Sequence, residues 1–168
     1  MKINSTLEKA LNNQINREFQ ASYNYLAYCY WFENTPYSGF AQWMKRQSDE
    51  ERTHADKFLS YLNDRQGCVK LKSLSQPEII FKTPLEIFKA ILKQEQNITK
   101  NIHEIYVLAD KEKDLETIHF LGWFLEEQME EEKSVLKIIE RLELISDSPL
   151  ELFNFGNTLK SIDGDENI

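Results

Sequence analysis

Apolar side chains recur at steps of three and four along most of the chain, the period of one helical face, and strand-like alternation is absent. From Ser5 the period runs without Gly or Pro to about residue 33 and stops at Asn34-Thr35-Pro36. Ser5 with Glu8 has the form of a capping box. The pattern resumes at Ser38 and continues to about Gln66, where Gly67 is placed to end it. Thr83-Pro84-Leu85-Glu86 is a second box with Pro at the first helical position, opening a helix over 84–110, and Asp114 is suited to cap a fourth over 114–145. Ser148-Pro149-Leu150-Glu151 opens a short fifth over 149–160, and residues 161–168 hold too little apolar material to pack and are expected to fray.

Four helices of this length with short joints near Thr35 and Lys111 predict an all-α four-helix bundle in which the first and second helices, and the third and fourth, are antiparallel neighbours. The middle joint is different. Residues 67–83 can stretch about 55 Å at roughly 3.3 Å each, enough to travel the length of a long helix at about 1.5 Å per residue. That predicts a crossover along the bundle. With 41% apolar residues and only five Gly and four Pro in 168, the chain reads as one domain with a substantial core.

The inward stripe carries the chemistry. On the first helix it reads Leu7, Leu11, Ile15, Glu18, Ser22, Tyr25, Cys29, and on the second Phe40, Met44, Gln47, Glu51, His54, Phe58, Tyr61. The third gives Phe88, Ile91, Glu95, Ile98, Ile102, Ile105, and the fourth Leu121, Phe124, Gln128, Glu131, Val135, Ile138, Leu142. Every helix has a polar break. Measured from Thr35, Glu18 lies 17 residues back and Glu51 16 forward; from Glu112, Glu95 lies 17 back and Gln128 16 forward. The breaks of each hairpin therefore face one another roughly 25 Å from its turn.

Carboxylates buried together need protons or cations to offset desolvation and mutual repulsion. Several Glu oxygens with one imidazole suit iron or manganese better than copper. Glu51 and His54, three apart, lie on one helical face and reach one ion together.

Glu18 with Tyr25, Glu50-Glu51-Arg52-Thr53-His54, Gln94-Glu95-Gln96 and Trp123 through Lys133 together resemble a bacterial-type non-haem ferritin over nearly the whole chain. Helix-borne Glu with Glu-x-x-His is the established pattern of ferritin-like di-iron bundles and is taken from them. The resemblance implies that Glu18, Glu51 and His54 hold a first iron, Glu51 bridging, while Glu95 and Glu131 hold a second with Gln128 beside it. It implies a third, weaker iron site from Glu50, Glu127 and Glu130, and a tyrosine, Tyr25, next to the centre. It further implies a hollow homo-oligomeric shell of 24 chains that oxidises Fe(II) with O2 or H2O2 (a ferroxidase) and stores Fe(III) as a hydrated oxide.

Two departures matter. Bacterioferritins carry a second Glu-x-x-His on the fourth helix, where this chain has Gln128 and Glu131, so the centre should be asymmetric. Their haem-ligating Met follows the bridging Glu; here that residue is Arg52, and no haem is expected. The acidic residues of the animal threefold pore align onto Ile118 and Leu121.

The net charge of −8 and the lack of a basic run argue against nucleic acid. No stretch approaches 18 apolar residues and the start lacks a signal-peptide core, so neither membrane insertion nor export is indicated and a cytoplasmic location is expected. Cys29 and Cys68 read as reduced, inert thiols, and His103 and His119 as structural or surface residues. Gly122 inside the fourth helix suggests close helix contact. The fifth helix, with Leu150, Leu152, Phe153, Phe155 and Leu159, looks made for a symmetric contact between chains. Trp123 is a large aromatic whose redox role, like that of Tyr25, is left open. Three other readings stand beside iron storage. A rubrerythrin-like peroxidase would need a CxxC pair that the chain lacks, a mini-ferritin often has a basic tail, and a metal-free helical interaction module would bind no stoichiometric iron.

Overall fold

A computed structural model of the chain describes residues 2–145 and 148–159. It contains five helices: α1 (Ser5–Glu33), α2 (Ser38–Asp64), α3 (Pro84–Lys111), α4 (Leu115–Ile145) and α5 (Pro149–Leu159). Among the described residues there is no strand, and no helix is long and apolar enough to cross a membrane. The expected fraying of 161–168, and the last residue of the expected fifth helix, lie outside the described residues.

The helix ends follow their local chemistry, with two corrections. Thr83 accepts from Glu86 N–H while the Glu86 side chain returns to the cap backbone, a complete box at the start of α3. Asp114 Oδ1 accepts from Thr117 N–H at 3.0 Å and caps α4. The cap of α1 is Asn4, whose side chain accepts from Leu7 N–H at 2.8 Å, and not Ser5. Glu8 is drawn away because its carboxylate accepts from Cys68 N–H at 3.1 Å on the crossover. At the end of α2 the left-handed residue is Gln66 (φ 54°), one place before the expected glycine.

The crossover runs along α1, held by side-chain amides that imitate a strand ladder. Asn12 donates to Cys68 O at 2.9 Å and accepts from Lys70 N–H at 2.6 Å. Two turns on, Gln20 donates to Ser75 O at 3.0 Å and accepts from Ser75 N–H at 2.7 Å. Tyr28 then meets Phe81 edge to face, with centroids 5.7 Å apart. Part of the polar backbone in this extended segment is thus satisfied without a partner strand.

Two apolar clusters fill the bundle. One gathers Phe32, Phe40, Phe88, Ile138 and the buried face of α5; the other gathers Leu7, Leu11, Phe58, Ile102 and Leu121. Between them lies the layer of polar breaks. The stripe needs three substitutions: Ala21 is buried on α1 and Ser48 and Leu62 on α2, whereas Ser22, Gln47 and Tyr61 are only partly so.

Close helix contact occurs at Gly39 and Gly156, not at Gly122. A Cβ on Gly39 would lie 1.9 Å from Gly156 O, while one on Gly122 would meet nothing within 4 Å. This seats α5 on the start of α2, burying Leu152 and Leu159 within the same chain and packing Phe155 against Phe40. Of the apolar residues expected to await another chain, only Leu150 and Phe153 are exposed.

Candidate metal centre

Each helix of the bundle delivers its polar break to one level. Glu18 comes from α1, Glu51 and His54 from α2, Glu95 from α3, and Gln128 and Glu131 from α4, and none is more than 8% exposed. The α1–α2 register is clipped by a reciprocal pair: Ser22 Oγ donates to Ser48 O at 2.7 Å and Ser48 Oγ to Ser22 O at 2.8 Å. Ser22 is one turn beyond Glu18 and Ser48 one turn before Glu51, so the clip sets these two carboxylates opposite each other.

Oxygens of Glu18 and Glu51 and a ring nitrogen of His54 all lie within 4.8 Å of one another, close enough to hold one cation. His54 Nδ1 is 3.1 Å from Glu51 Oε2. Burial, with a smaller push from Lys57, lowers the His54 pKa to about 4, so at neutral pH the imidazole is uncharged and able to ligate. Glu18 Oε1 accepts from Gln14 Nε2 at 2.7 Å, but Glu18 Oε2 is buried with no hydrogen-bond partner. An orphaned carboxylate oxygen beside an imidazole and a second carboxylate is what a bound cation would satisfy.

The α3 side is differently equipped. Tyr25 OH donates to Glu95 Oε1 at 2.7 Å, Gln94 Nε2 to the same oxygen at 3.3 Å, and Gln128 Nε2 to Glu95 Oε2 at 3.4 Å. Burial raises the Glu95 pKa while these donors oppose the rise. Burial and then the neighbouring Glu95 push Glu51 and Glu131 well above the usual carboxyl range, and burial carries Glu18 up to about 7. Tyr25 is likewise pushed well above its ordinary value, by burial first and then the carboxylates, and stays a phenol that donates.

The ferritin-like domain family matches residues 8–145. The chain is 38% identical over 164 residues to a bacterial non-heme ferritin of Staphylococcus haemolyticus, covering 98% of this chain and 99% of that one. The chain belongs to the ferritin family. It is also 37% identical to a bacterial non-heme ferritin of Staphylococcus aureus over the same span. A solved open pore ferritin from the archaeon Archaeoglobus fulgidus superposes with a TM-score of 0.94 at 37% identity, covering 96% of this chain and 98% of that one.

In this ferritin a second group of possible ligands lies on the other side of His54. Glu50, Glu127 and Glu131 bring oxygens within 4.8 Å of one another and of a His54 nitrogen, and His54 Nε2 is 3.8 Å from Glu127 Oε1. One imidazole thus stands between two carboxylate groups. Burial raises Glu50 and Glu127, and Lys57 draws both back down in part. Glu130, expected with Glu50 and Glu127, is exposed on α4 and is in neither group, while Glu131 and His54 are grouped with those two. Arg52 is exposed, and so are His103 and His119. Leu121 is fully buried in the apolar core, so it does not face a pore, and only Ile118 of that pair reaches the surface in part.

Sequence reasoning passed over Gln14, the donor to Glu18, although its place one turn before that carboxylate was available as a signal. It also passed over Thr99, which Gln128 Nε2 reaches at 3.4 Å, and Lys57, whose role depends on a partner on another helix.

Proposed function

We propose that this ferritin stores iron as an oxidised mineral and that the bundle centre is its ferroxidase site. Fe(II) is the substrate. Glu18, Glu51 and His54 hold the first ion; Glu51, Glu95 and Glu131 hold the second, with Gln128 and Tyr25 fixing Glu95. Each Fe(II) gives up one electron. Two electrons and two protons convert O2 to H2O2, or H2O2 to two waters, and the Fe(III) leaves to hydrolyse into hydrated oxide within a shell of 24 chains. The protein's part is to place two ions so that one oxidant meets both.

The observation that carries this reading is the orphaned Glu18 Oε2, buried beside Glu51 and a neutral His54 among carboxyls whose ionisation burial makes costly. A metal-free structural role would favour apolar residues at this level, because buried carboxylates destabilise unless compensated. Glu50 and Glu127, with Glu131, offer the further position through which iron passes between the centre and the store.

The test is Fe(II) oxidation in air by metal-free protein, followed by absorbance and oxygen uptake. Glu51→Ala and His54→Ala should slow the fast phase by about a hundredfold or more, at or above the upper end of what losing a ligand's supporting partner costs, with helix content and assembly retained. Wild-type rates in both variants would overturn the assignment.

A further inference from the structure

The mouth of the Glu50–Glu127 side holds a cation of its own. Lys57 follows His54 by one turn on α2, and Trp123 precedes Glu127 by one turn on α4. The two meet: Lys57 Nζ sits 3.1 Å from the centroid of the Trp123 ring. The indole in turn lies edge-on to His54, centroids 5.5 Å apart, and to Phe124 at 4.8 Å. Lys57, Trp123, Glu50, Glu127 and His54 line one pocket of about 410 Å³.

A lysine at an exposed helical position ordinarily waves its ammonium in water and loses rotamer freedom when fixed. Here the aromatic face holds it, with an attraction that grows as the site is desolvated. Its ammonium faces the pocket that Glu50, Glu127 and His54 also line. A cation arriving at Glu50 and Glu127 therefore shares the pocket with a positive charge that cannot diffuse away. Glu18 and Glu51 do not line this pocket, and the orphaned oxygen on their side is open to a metal.

We propose that Lys57, held on the Trp123 ring, is the built-in counter-ion of the Glu50–Glu127–Glu131 group, keeping that group's affinity for a divalent cation below that of Glu18–Glu51–His54 and leaving the ring when the group fills. Lys57 is a positioning residue in this role, since it touches neither ion. The proposal rests on the metal-binding reading of the centre. It gives the pocket a reason to stay a place of passage, because a site that must release iron onward cannot hold it as tightly as the first.

Zn(II), which undergoes no redox change, is the probe. Metal-free assembled protein is titrated by calorimetry and by indole fluorescence, with wild type compared to Lys57→Met, Lys57→Arg and Trp123→Phe. Wild type should show a tight site and weaker ones, of which the Glu50–Glu127–Glu131 group is the weak class marked by an emission change that is lost in Trp123→Phe, although Trp31 and Trp43 remain. Lys57→Met, which keeps the apolar stem but removes the charge, should tighten the weak class about tenfold, the order expected for removing one unit charge from a partly screened site. Lys57→Arg should stay near wild type. An unchanged or weakened second class in Lys57→Met overturns the proposal while leaving the metal centre standing, as does an emission change that follows only the tight class. Wild-type protein that binds no Zn(II) at all would remove both.

Discussion

At the residue scale the centre is uneven. The first group offers two carboxyls and a neutral imidazole, with a buried oxygen of Glu18 that no amide or hydroxyl meets. Glu95 is already engaged by Tyr25, Gln94 and Gln128, so a second ion must compete with three donors for it. Glu51 and Glu131 hold their protons more strongly than ordinary carboxyls, and a metal must displace those protons. Occupancy should follow that order: crystals soaked with limiting Zn(II) are expected to show density beside His54 first and weaker density near Glu95. Equal filling at substoichiometric metal would contradict the asymmetry.

At the element scale, two junctions hold the helices in register around the centre. Arg65, just past the end of α2, donates to Asp114 Oδ1 at 2.8 Å and Oδ2 at 2.7 Å, joining α2 to the α3–α4 turn. The pair is 9% and 11% exposed, and the guanidinium hydrogen bonds hold the Asp114 pKa down at about 2. A folded pKa below the ordinary 3.8 means that this stabilisation is present above pH 4 and disappears as pH falls through 2. Asp114→Asn should therefore lower stability at pH 7 by about 2 kcal/mol, with the gap closing in acid unfolding curves as pH approaches 2. A gap that persists unchanged there would show that packing, not charge, makes the difference. The second junction is the seat of α5, where the Gly39 and Gly156 backbones meet. Gly39→Ala should separate them and cost about 1–3 kcal/mol as overpacking does, read as a lower melting temperature, whereas Gly122→Ala, with open space around it, should be neutral or stabilising.

At the scale of the whole molecule, one chain leaves large apolar side chains in water. Leu144 is 79% exposed, Ile80 76%, Leu115 71% and Met129 70%, spread over α4, its start and the crossover. An isolated bundle gains nothing from them, and the proposed shell would give them chains to pack against. With a chain mass of 19.9 kDa, 24 copies give 24 × 19.9, about 480 kDa. Native mass measurement should find a species of that size, and a stable 20 kDa monomer would sink the shell.

Helix number and order were legible from the apolar period alone, because a 3.6-residue repeat over about 28 residues leaves little choice of structure. The polar break on each helix was legible too, since equal counts from each turn give equal heights in antiparallel neighbours. So was the Thr83 box, in which every partner lies within three residues. What the sequence could not decide was every pairing between side chains far apart along the chain. Glu8 could cap its own helix or serve the crossover, and Cys68 N–H, sixty residues away, decides it. Gly122 and Gly39 look alike in one dimension, and only the docking of α5 shows which one needs to lack a Cβ. Glu130 and Glu131 are neighbours in an acidic run, yet the 100° step between helical positions turns one outward and the other toward His54. Lys57 had no visible partner until α4 brought Trp123 beneath its ammonium. Local periodicity determined the helices and the level of the centre; the directions and distances that make it a site are tertiary, because they depend on which faces of separate helices meet.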